Sequence, residues 1–421
     1  MNPEPVAAVA ALVLAYGLVS ARIGRWSISG PLVFTAFGVV LGPAGLEVLG
    51  GRFEQGAVEL LAEATLVLIL FADATRIDLR LLRAQAALPA RLLGLGLPLT
   101  LAAGTVVALL LFGELTFWEA ALVGAVLTPT DAALGQAVVS NPRVPVRIRQ
   151  ALNVESGLND GLMLPVITVL VALAADEEGL GPTGEWVGFA ARQVGFGVLV
   201  GIVAGAVGGR VLDLAARRGW VDGAMRQLAT LAVAVIAFGG AGLLDGNGFV
   251  AAFVAGVVFG YVAGHQCEGA ADFTEDEGQL LALLTFLYFG ALLLGPRLDE
   301  LTPAIALYAL ASLTVIRMVP AAIGLAGSGL ELPSVGYLGW FGPRGLASIL
   351  FALLIVDEVD LAGADVITGV MTWTVAASIV AHGLSAVPLA NRYADWFQST
   401  GEATPMPEAE PVAEMRNRLP T

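Results

Sequence analysis

The residues best suited to chemistry lie between Asn153 and Asp160. Glu155 and Asn159 are four residues apart, as are Ser156 and Asp160, so an α-helix would place these four side chains on one face. An ordinary N-terminal cap and first turn is the alternative, since acidic side chains suit a helix N-terminus. That alternative explains Asn153 and Glu155 but explains Asp160 badly, because Asp160 falls well inside the helix.

A second polar group surrounds a proline, in the sequence Thr128-Pro129-Thr130-Asp131. A proline inside a helix removes one backbone hydrogen bond and clashes with the preceding turn, here at the carbonyl of Ala125. Two hydroxyls and a carboxylate suit a locally unwound segment, in which they replace the lost partners. A plain proline kink remains the alternative for this motif taken alone.

Two arginines also fall within long apolar stretches. Arg317 is one, and Arg344 lies in the motif Gly342-Pro343-Arg344-Gly345, a second proline-interrupted helix. An intramembrane arginine needs an acid or free carbonyl groups. Glu155 is the natural partner for one of the two, and the residues alone leave open which one. Asp73 is a further ionisable side chain in an apolar stretch.

The composition shows what must position these residues. Of the 421 residues 57% are hydrophobic and 14% are charged, whereas a soluble domain has about 25% charged residues. A cytosolic enzyme is therefore excluded, and a membrane protein is indicated. The net charge of −15 makes nucleic acid an unsuitable partner. One cysteine and two histidines are too few for a disulfide framework or a histidine-rich metal centre, and we expect no cofactor.

Apolar runs predict an all-α polytopic membrane protein with about thirteen transmembrane helices, since a spanning helix needs about 20 mostly apolar residues. The predicted spans fall near 5–24, 30–49, 57–75, 86–112, 117–139, 150–175, 185–212, 226–244, 248–265, 278–296, 302–326, 334–357 and 364–390. They form a transmembrane domain over residues 1–390. Residues 391–421 are expected to form a short, disordered cytoplasmic tail, because they are rich in Pro and Glu.

Arginine placement predicts the orientation of the chain in the membrane. All 21 basic residues are arginines; fifteen fall on one side of the predicted spans and two on the other. The arginine-rich side is cytoplasmic by the positive-inside rule, which places the N-terminus outside and the C-terminus inside. The absence of lysine and a pI near 4.5 favour a prokaryotic source, and hence the cell (inner) membrane.

The predicted spans also show an internal symmetry. With span 7 set aside as a connector, spans 1–6 and 8–13 form two sets of six, and the proline-broken helices 5 and 12 are each the fifth of their set. An odd offset of seven spans makes the second set inverted. Paired broken helices mark the binding site of many secondary transporters. Asp131 can balance the positive end of a half-helix there, and Arg344 the negative end.

This order of motifs resembles the monovalent cation/proton antiporter superfamily, and within it the NhaP-type sodium/proton antiporters, which are related to eukaryotic sodium/proton exchangers. The resemblance covers residues 1–390 and includes the layout of thirteen helices. It implies a role for each matching residue. Asp160 is similar to the carboxylate that takes either the cation or the proton, Asp131 and Thr130 to ligands in the unwound helix, and Ser156 to a hydroxyl that contacts the cation. Asn159 is similar to the asparagine of the electroneutral members of the superfamily, at a position where electrogenic relatives have a second aspartate.

The resemblance implies supporting roles for other charged residues. Glu155 with Arg317 is similar to a structural ion bridge, and Arg344 to an arginine beside the second break. Asp73 stands where some relatives have a glutamate, which leaves its part in cation binding open.

The implied activity is exchange of a monovalent cation for protons, in the service of pH homeostasis. Sodium, and also lithium, is the expected cation, and potassium is the alternative. One carboxylate that changes state per cycle predicts electroneutral 1:1 exchange by alternating access. The expected partners are the lipid bilayer, these ions and a second copy of the chain in a homodimer, and no enzymatic activity is expected.

Three other classes fit the residues less well. An intramembrane aspartyl protease would use Asp131 and Asp160 but leave Arg317 and Arg344 without a task. A cation channel would require a symmetric ring of ligands around a pore. An organic-anion transporter would use the two arginines and leave the two aspartates unexplained; it is the better rival of the three.

Overall fold

The computed structural model describes residues 3–24, 28–49, 55–77, 87–131, 134–179, 185–263, 270–358, 361–401 and 406–410. Within these ranges all regular structure is helical. The helices are α1 Pro3–Gly24, α2 Gly30–Leu41, α3 Gln55–Thr75, α4 Ala87–Leu111, α5 Phe117–Val126, α6 Gln136–Val139, α7 Val146–Glu177, α8 Glu185–Arg217, α9 Gly223–Gly242, α10 Gly248–Val262, α11 Ala270–Tyr288, α12 Pro303–Leu313, α13 Val315–Leu325, α14 Leu332–Trp340, α15 Leu346–Glu358 and α16 Ala364–Gly401.

The all-α membrane fold is confirmed, and every predicted span contains at least one of these helices. In the part of the chain that the structure describes, seven helical stretches are long and apolar enough to cross a membrane, and four shorter apolar helices accompany them. One of the seven consists of α12 and α13 together, and another continues from α11 to Arg297. Helices α5, α14 and α15 are each shorter than the about 20 residues that a helix needs to cross a membrane alone. The count of thirteen crossings therefore stays a prediction.

The helices pack in two groups. In the first group α8 packs on α9 and α10, α10 packs on α3, and α11 packs on α2 and α3. In the second group α4 packs on α5, α5 on α7, α12 on α16, and α13 on α14. Helix α7 belongs to the second group and also contacts α3, α8 and α10 in the first. It is therefore one of the elements through which the two groups meet, together with α15, which contacts α3 and α11, and α16, which contacts α2.

Burial follows the same division. The most apolar part of α7 is 67% buried, whereas that of α8 is only 22% buried. Large aliphatic side chains of α8 point outward, for example Leu199, Val203, Val207 and Val211. In water such a surface would be costly, but against lipid hydrocarbon it costs nothing. The polar residues of α7 are thus held inside the bundle, and the periphery is left for lipid.

The end of the chain corrects one prediction. We expected a disordered tail from residue 391, but α16 continues to Gly401. The physical reason is an apolar face on this last part of the helix, where the ring of Tyr393 stacks on that of Tyr337 in α14 at 4.1 Å and Ala394 is fully buried. Residues 402–405 and 411–421, which also belong to the predicted tail, lie outside the described residues.

Residues 406–410 are also in contact with the bundle. The Glu408 side chain is only 1% exposed, and its Oε1 accepts hydrogen bonds from the Glu331 N–H at 2.9 Å and from the Ser334 hydroxyl at 2.6 Å. Arg147, at the start of α7, donates to the Pro407 carbonyl at 2.6 Å. This segment therefore joins the beginnings of α7 and α14.

Candidate functional site

The first helix break follows α5, which ends at Val126. Pro129 has no N–H, and its ring would clash with a carbonyl one turn earlier, so the helix does not continue through it. Hydroxyl groups satisfy carbonyls that the end of α5 leaves without helical partners. Thr128 Oγ1 donates to Gly124 O at 2.7 Å, and Ser348 Oγ of α15 donates to Val126 O at 2.7 Å.

The second break separates α14, which ends at Trp340, from α15, which begins at Leu346. It lies directly against the first break. The Asp131 N–H donates to the Pro343 carbonyl at 2.8 Å, and the Leu346 N–H donates to Asp131 Oδ2 at 2.8 Å. Asp131 thus caps the N-terminus of α15, where a carboxylate is favoured by the helix dipole.

Arg344 makes the reciprocal contact. Its side chain is fully buried, and Nη1 donates to the carbonyls of Thr128 at 3.0 Å and Pro129 at 3.4 Å. These carbonyls follow the C-terminal end of α5, where a positive charge is favoured. Asp131 of the first break thus compensates the N-terminal end of α15, and Arg344 of the second break compensates the C-terminal end of α5.

The two glycines of the second break are required by close approach. A Cβ at Gly345 would overlap the Asp131 carboxylate, and a Cβ at Gly342 would overlap the Arg317 guanidinium. No side chain larger than hydrogen fits at either position without displacing a charged group. The motif Gly-Pro-Arg-Gly thus packs two charged side chains against one stretch of backbone.

The polar face of α7 is turned toward the first break. Ser156 Oγ donates to the Thr130 carbonyl at 3.0 Å, and Asn159 Nδ2 donates to Thr130 Oγ1 at 2.7 Å. Asp160 follows Asn159 and lies one helical turn after Ser156 on the same face, where it is 7% exposed. The structure therefore brings five of the predicted cation- and proton-binding residues to the place where α7 meets the first break. They are Ser156, Asn159 and Asp160 of α7, and Thr130 and its neighbour Asp131.

Glu155 pairs with Arg317 and not with Arg344. Nη1 of Arg317 lies 2.5 Å from Oε1 of Glu155, and Nη2 lies 2.8 Å from Oε2, in a bidentate ion pair. The two side chains are 1% and 2% exposed. The pair ties α7 to α13, and Nη2 of Arg317 also reaches the Leu338 carbonyl of α14 at 3.4 Å. The question that the residues alone left open is thereby answered.

Asp73 lies in the last turn of α3 and is partly exposed. Helix α3 belongs to the first packing group and contacts α7 and α10. Asp73 therefore lies on the opposite side of the interface between the groups from the two helix breaks. A part for it in cation binding stays a prediction.

Two buried residues of α16 escaped the sequence analysis. Ser378 Oγ accepts the Arg344 N–H at 2.7 Å, and His382 Nε2 lies 3.0 Å from the Trp340 carbonyl. Both side chains are fully buried. Their position inside a predicted span was a usable signal, because histidine is rare there and usually has a partner.

Glu119, near the other end of α5, was also missed. It is 1% exposed and forms a capping box with Thr116, and its Oε1 accepts the N–H of Gly363 just before α16. Glu178, which follows α7, accepts the Ala362 N–H at 3.1 Å. Partial burial raises the pKa of Glu178, and the nearby Glu119 carboxylate raises it further, against the lowering effect of that N–H. These contacts fasten the ends of α5, α7 and α16 together.

The arrangement has the chemistry of a site for a small hard cation. Carboxylates, hydroxyls and backbone carbonyls of two unwound segments and of α7 come together in a buried region, and oxygen atoms are the ligands that such cations take. Asp131 and Arg344 neutralise the helix ends that meet there. Asp160 adds a carboxylate that can exist in a charged and a neutral form.

Comparison with known proteins bears on this arrangement. A family model described as sodium/hydrogen exchanger, transmembrane, matches residues 8–392. The chain is 27% identical over 349 residues to a K(+)/H(+) antiporter NhaP of Alkalimonas amylolytica, which covers 80% of this chain and 57% of the relative. It is 29% identical over 263 residues to Na(+)/H(+) antiporter 2 of Zygosaccharomyces rouxii, covering 58% of this chain and 32% of the relative. The chain thus spans less than two thirds of these curated relatives.

A solved structure shows the same fold. The sodium proton antiporter MjNhaP1 of Methanocaldococcus jannaschii superimposes with a TM-score of 0.73 over 93% of this chain and 98% of that chain, at 20% sequence identity. The match with the family model extends over nearly all of the helical part of the chain. The chain therefore belongs to the family of transmembrane sodium/hydrogen exchangers, a family of antiporters.

Proposed function

We propose that this chain exchanges sodium, and also lithium, for protons across the cell membrane, in an electroneutral 1:1 cycle. Membership of the exchanger family supports cation/proton exchange as the general activity. The observation that carries the specific proposal is the location of Asp160, which is buried beside two α7 side chains that bond to Thr130 of the first break.

Competition at Asp160 gives obligatory exchange. Burial disfavours the charged form of a carboxylate and a nearby cation favours it, so protonation and cation binding compete at Asp160. Thr130, Ser156 and Asp131 supply further oxygen atoms for the cation. If only the neutralised site crosses the interface between the two helix groups, neither ion moves without the other moving back.

Asn159 supports electroneutrality. Its amide group donates to Thr130 Oγ1 at 2.7 Å and carries no titratable proton. A second aspartate at this position would add a second charge to the site. With one carboxylate that changes state, one cation is exchanged for one proton.

The two packing groups supply the moving parts. The group with α5, α7, α13, α14 and α15 holds the two breaks, Glu155 and Arg317, and would move as a unit against the group with α2, α3, α8, α10 and α11. The Glu155–Arg317 pair and the contacts of Arg344 would keep the site intact during this motion. The first packing group, through the outward face of α8, also offers exposed apolar surface for lipid and for the homodimer.

Potassium is the second candidate cation, because one relative is named as a K(+)/H(+) antiporter. An organic anion is disfavoured, since the guanidinium of Arg317 is engaged by both oxygens of Glu155. The orientation with the N-terminus outside and the C-terminus in the cytoplasm belongs to the same proposal. It rests on the distribution of arginines over the loops.

The test is an exchange assay in proteoliposomes. An acid-interior pH gradient is established, its collapse is followed by fluorescence dequenching, and sodium, lithium and potassium are added in separate runs at several pH values. Collapse by sodium and lithium, unchanged by clamping the membrane potential at zero, is expected. Collapse by potassium alone would favour the second candidate, and collapse by none of the three would contradict cation/proton exchange.

The residue assignment is tested by Asp160→Asn, which is expected to abolish exchange. Asn159→Asp in the same background is not expected to restore it. Thr368→Ala, a change on α16 of a hydroxyl that bonds only within its own helix turn, is the matched control. Full activity of Asp160→Asn would remove the mechanism.

A further inference from the structure

One buried titratable side chain has no part in the proposed cycle. His382 of α16 is fully buried, and its ring lies against that of Trp340, with ring centroids 5.0 Å apart. Its Nε2 is 3.0 Å from the Trp340 carbonyl, and its Nδ1 is 3.2 Å from the Ser378 hydroxyl. Ser378 Oγ in turn accepts the Arg344 N–H at 2.7 Å. The imidazole thus touches, directly or through one hydroxyl, both sides of the second break.

The direction of these hydrogen bonds follows from the donors available. The Trp340 carbonyl can only accept, and a hydrogen on Nε2 of His382 would satisfy it. Ser378 Oγ receives the Arg344 N–H and is free to donate its own hydrogen to Nδ1. The opposite tautomer would bond Nδ1 to the Ser378 carbonyl at 3.1 Å, but would leave Nε2 and the Trp340 carbonyl as two facing acceptors. With its hydrogen on Nε2 the neutral ring makes two hydrogen bonds, one to the Trp340 carbonyl and one from the Ser378 hydroxyl, although Nδ1 then faces the Ser378 carbonyl. The opposite tautomer makes only one, so we infer the form with the hydrogen on Nε2.

This series of hydrogen bonds, from Trp340 through His382 and Ser378 to Arg344, bridges the gap between α14 and α15. The Trp340 carbonyl belongs to the last residue of α14, where it has no helical partner and accepts the Gly342 N–H at 2.8 Å beside its contact with His382. The Arg344 N–H lies in the non-helical segment before α15. Ser378 and His382, four residues apart on one face of α16, hold both groups at a fixed separation.

The position of Arg344 matters for the first break as well. Its Nη1 contacts the carbonyls of Thr128 and Pro129, and two residues later the Leu346 N–H holds the Asp131 carboxylate. A shift of this segment would displace the oxygen atoms on which cation binding depends. Small displacements of ligands have large effects on binding, because the site must be pre-organised.

We propose that His382 is a positioning residue for cation binding, acting through Trp340 and Ser378 on Arg344 and thereby on the ligands of the first break. This inference rests on the proposed function, since it assigns a role within the same site. It assigns no contact between His382 and the cation.

The test compares three variants in the proteoliposome assay. His382→Ala removes both contacts, and we expect the apparent KM for the cation to rise about tenfold or more while the maximal rate changes less than about threefold. His382→Gln retains an N–H donor near the place of Nε2, so we expect it to recover most of the affinity. His382→Asn retains only a group near the place of Nδ1 and is expected to stay close to His382→Ala.

Two further variants make the result decisive. Thr368→Ala changes a buried hydroxyl of the same helix that donates to Ala364, and it should leave KM unchanged. Ser378→Ala removes the acceptor of the Arg344 N–H and should raise KM in the same sense as His382→Ala. It also tests the inference if His382→Ala does not fold.

The outcomes separate the inference from the proposed function. Absence of exchange in the wild type would count against the proposed function. Normal exchange in the wild type, with an unchanged KM in His382→Ala and Ser378→Ala, would overturn the positioning role alone. A KM in His382→Gln as high as in His382→Ala would overturn it too, as would an equal rise in Thr368→Ala.

Discussion

The ion pair between Glu155 and Arg317 permits a quantitative prediction. Its two hydrogen bonds measure 2.5 and 2.8 Å, and its members are 1% and 2% exposed. Glu155→Gln and Arg317→Met each remove one charge while keeping most of the side-chain volume. Each single change leaves the other charge buried without its partner. The double replacement leaves neither charge.

The magnitudes follow from the cost of an uncompensated buried charge. Breaking a buried pair by removing one partner costs about 3–5 kcal/mol, whereas replacing the whole pair by groups of similar volume is often close to neutral. If the two single losses were additive, the double variant would lose about 6–10 kcal/mol. We expect it instead to lose less than either single variant, with a coupling energy above about 3 kcal/mol.

The assay is unfolding of the purified protein in mixed detergent, followed by circular dichroism for the wild type, both single variants and the double variant. Asp365→Asn is a matched control, because Asp365 pairs with Arg297 at 2.7 Å but is 87% exposed. A pair of that kind contributes about 0–1 kcal/mol. Additive losses in the double variant would refute the view that Glu155 and Arg317 stabilise the fold as a pair.

Three further predictions concern the packing around the site. Gly345→Ala would push a methyl group into the Asp131 carboxylate, so we expect exchange in proteoliposomes to fall more than about tenfold; normal exchange would contradict the close approach. Glu119→Ala removes the buried acceptor of two backbone N–H groups and should lower stability by about 1–3 kcal/mol in the detergent assay, and an unchanged transition would contradict this. Glu408→Ala removes the acceptor of the Ser334 hydroxyl and should speed hydrogen exchange and proteolysis near residues 406–410; protection equal to the wild type would show that the segment is held by other contacts.

Much of the site could be predicted from the sequence, because a charged or proline residue is conspicuous in an apolar chain. Asp160, Asp131 and Arg344 stand out for this reason, and a broken helix is expected wherever proline accompanies polar side chains. Helical periodicity was sufficient to place Ser156 and Asp160 on one face. The fold class followed from composition and from the lengths of the apolar runs.

Other features depended on contacts between segments that are distant in the chain. Nothing in the sequence around His382 or Ser378 indicates that α16 passes beside the second break. The same is true of Glu119, which resembles an ordinary capping residue until Gly363 is found against it. The prediction of disorder was wrong for residues 391–401, because proline and glutamate indicate disorder on average, whereas Tyr393 finds a specific partner, as Glu408 does further along the chain.

The central claim is that one carboxylate, that of Asp160, is contested by a cation and a proton. Release of protons on addition of sodium to the purified protein in weakly buffered detergent solution tests it most directly. The wild type is predicted to release about one proton for each sodium bound when the pH is low enough for the site to be protonated, and Asp160→Asn to release none. Undiminished release from Asp160→Asn, or sodium binding by the wild type without proton release at any pH, would contradict the claim.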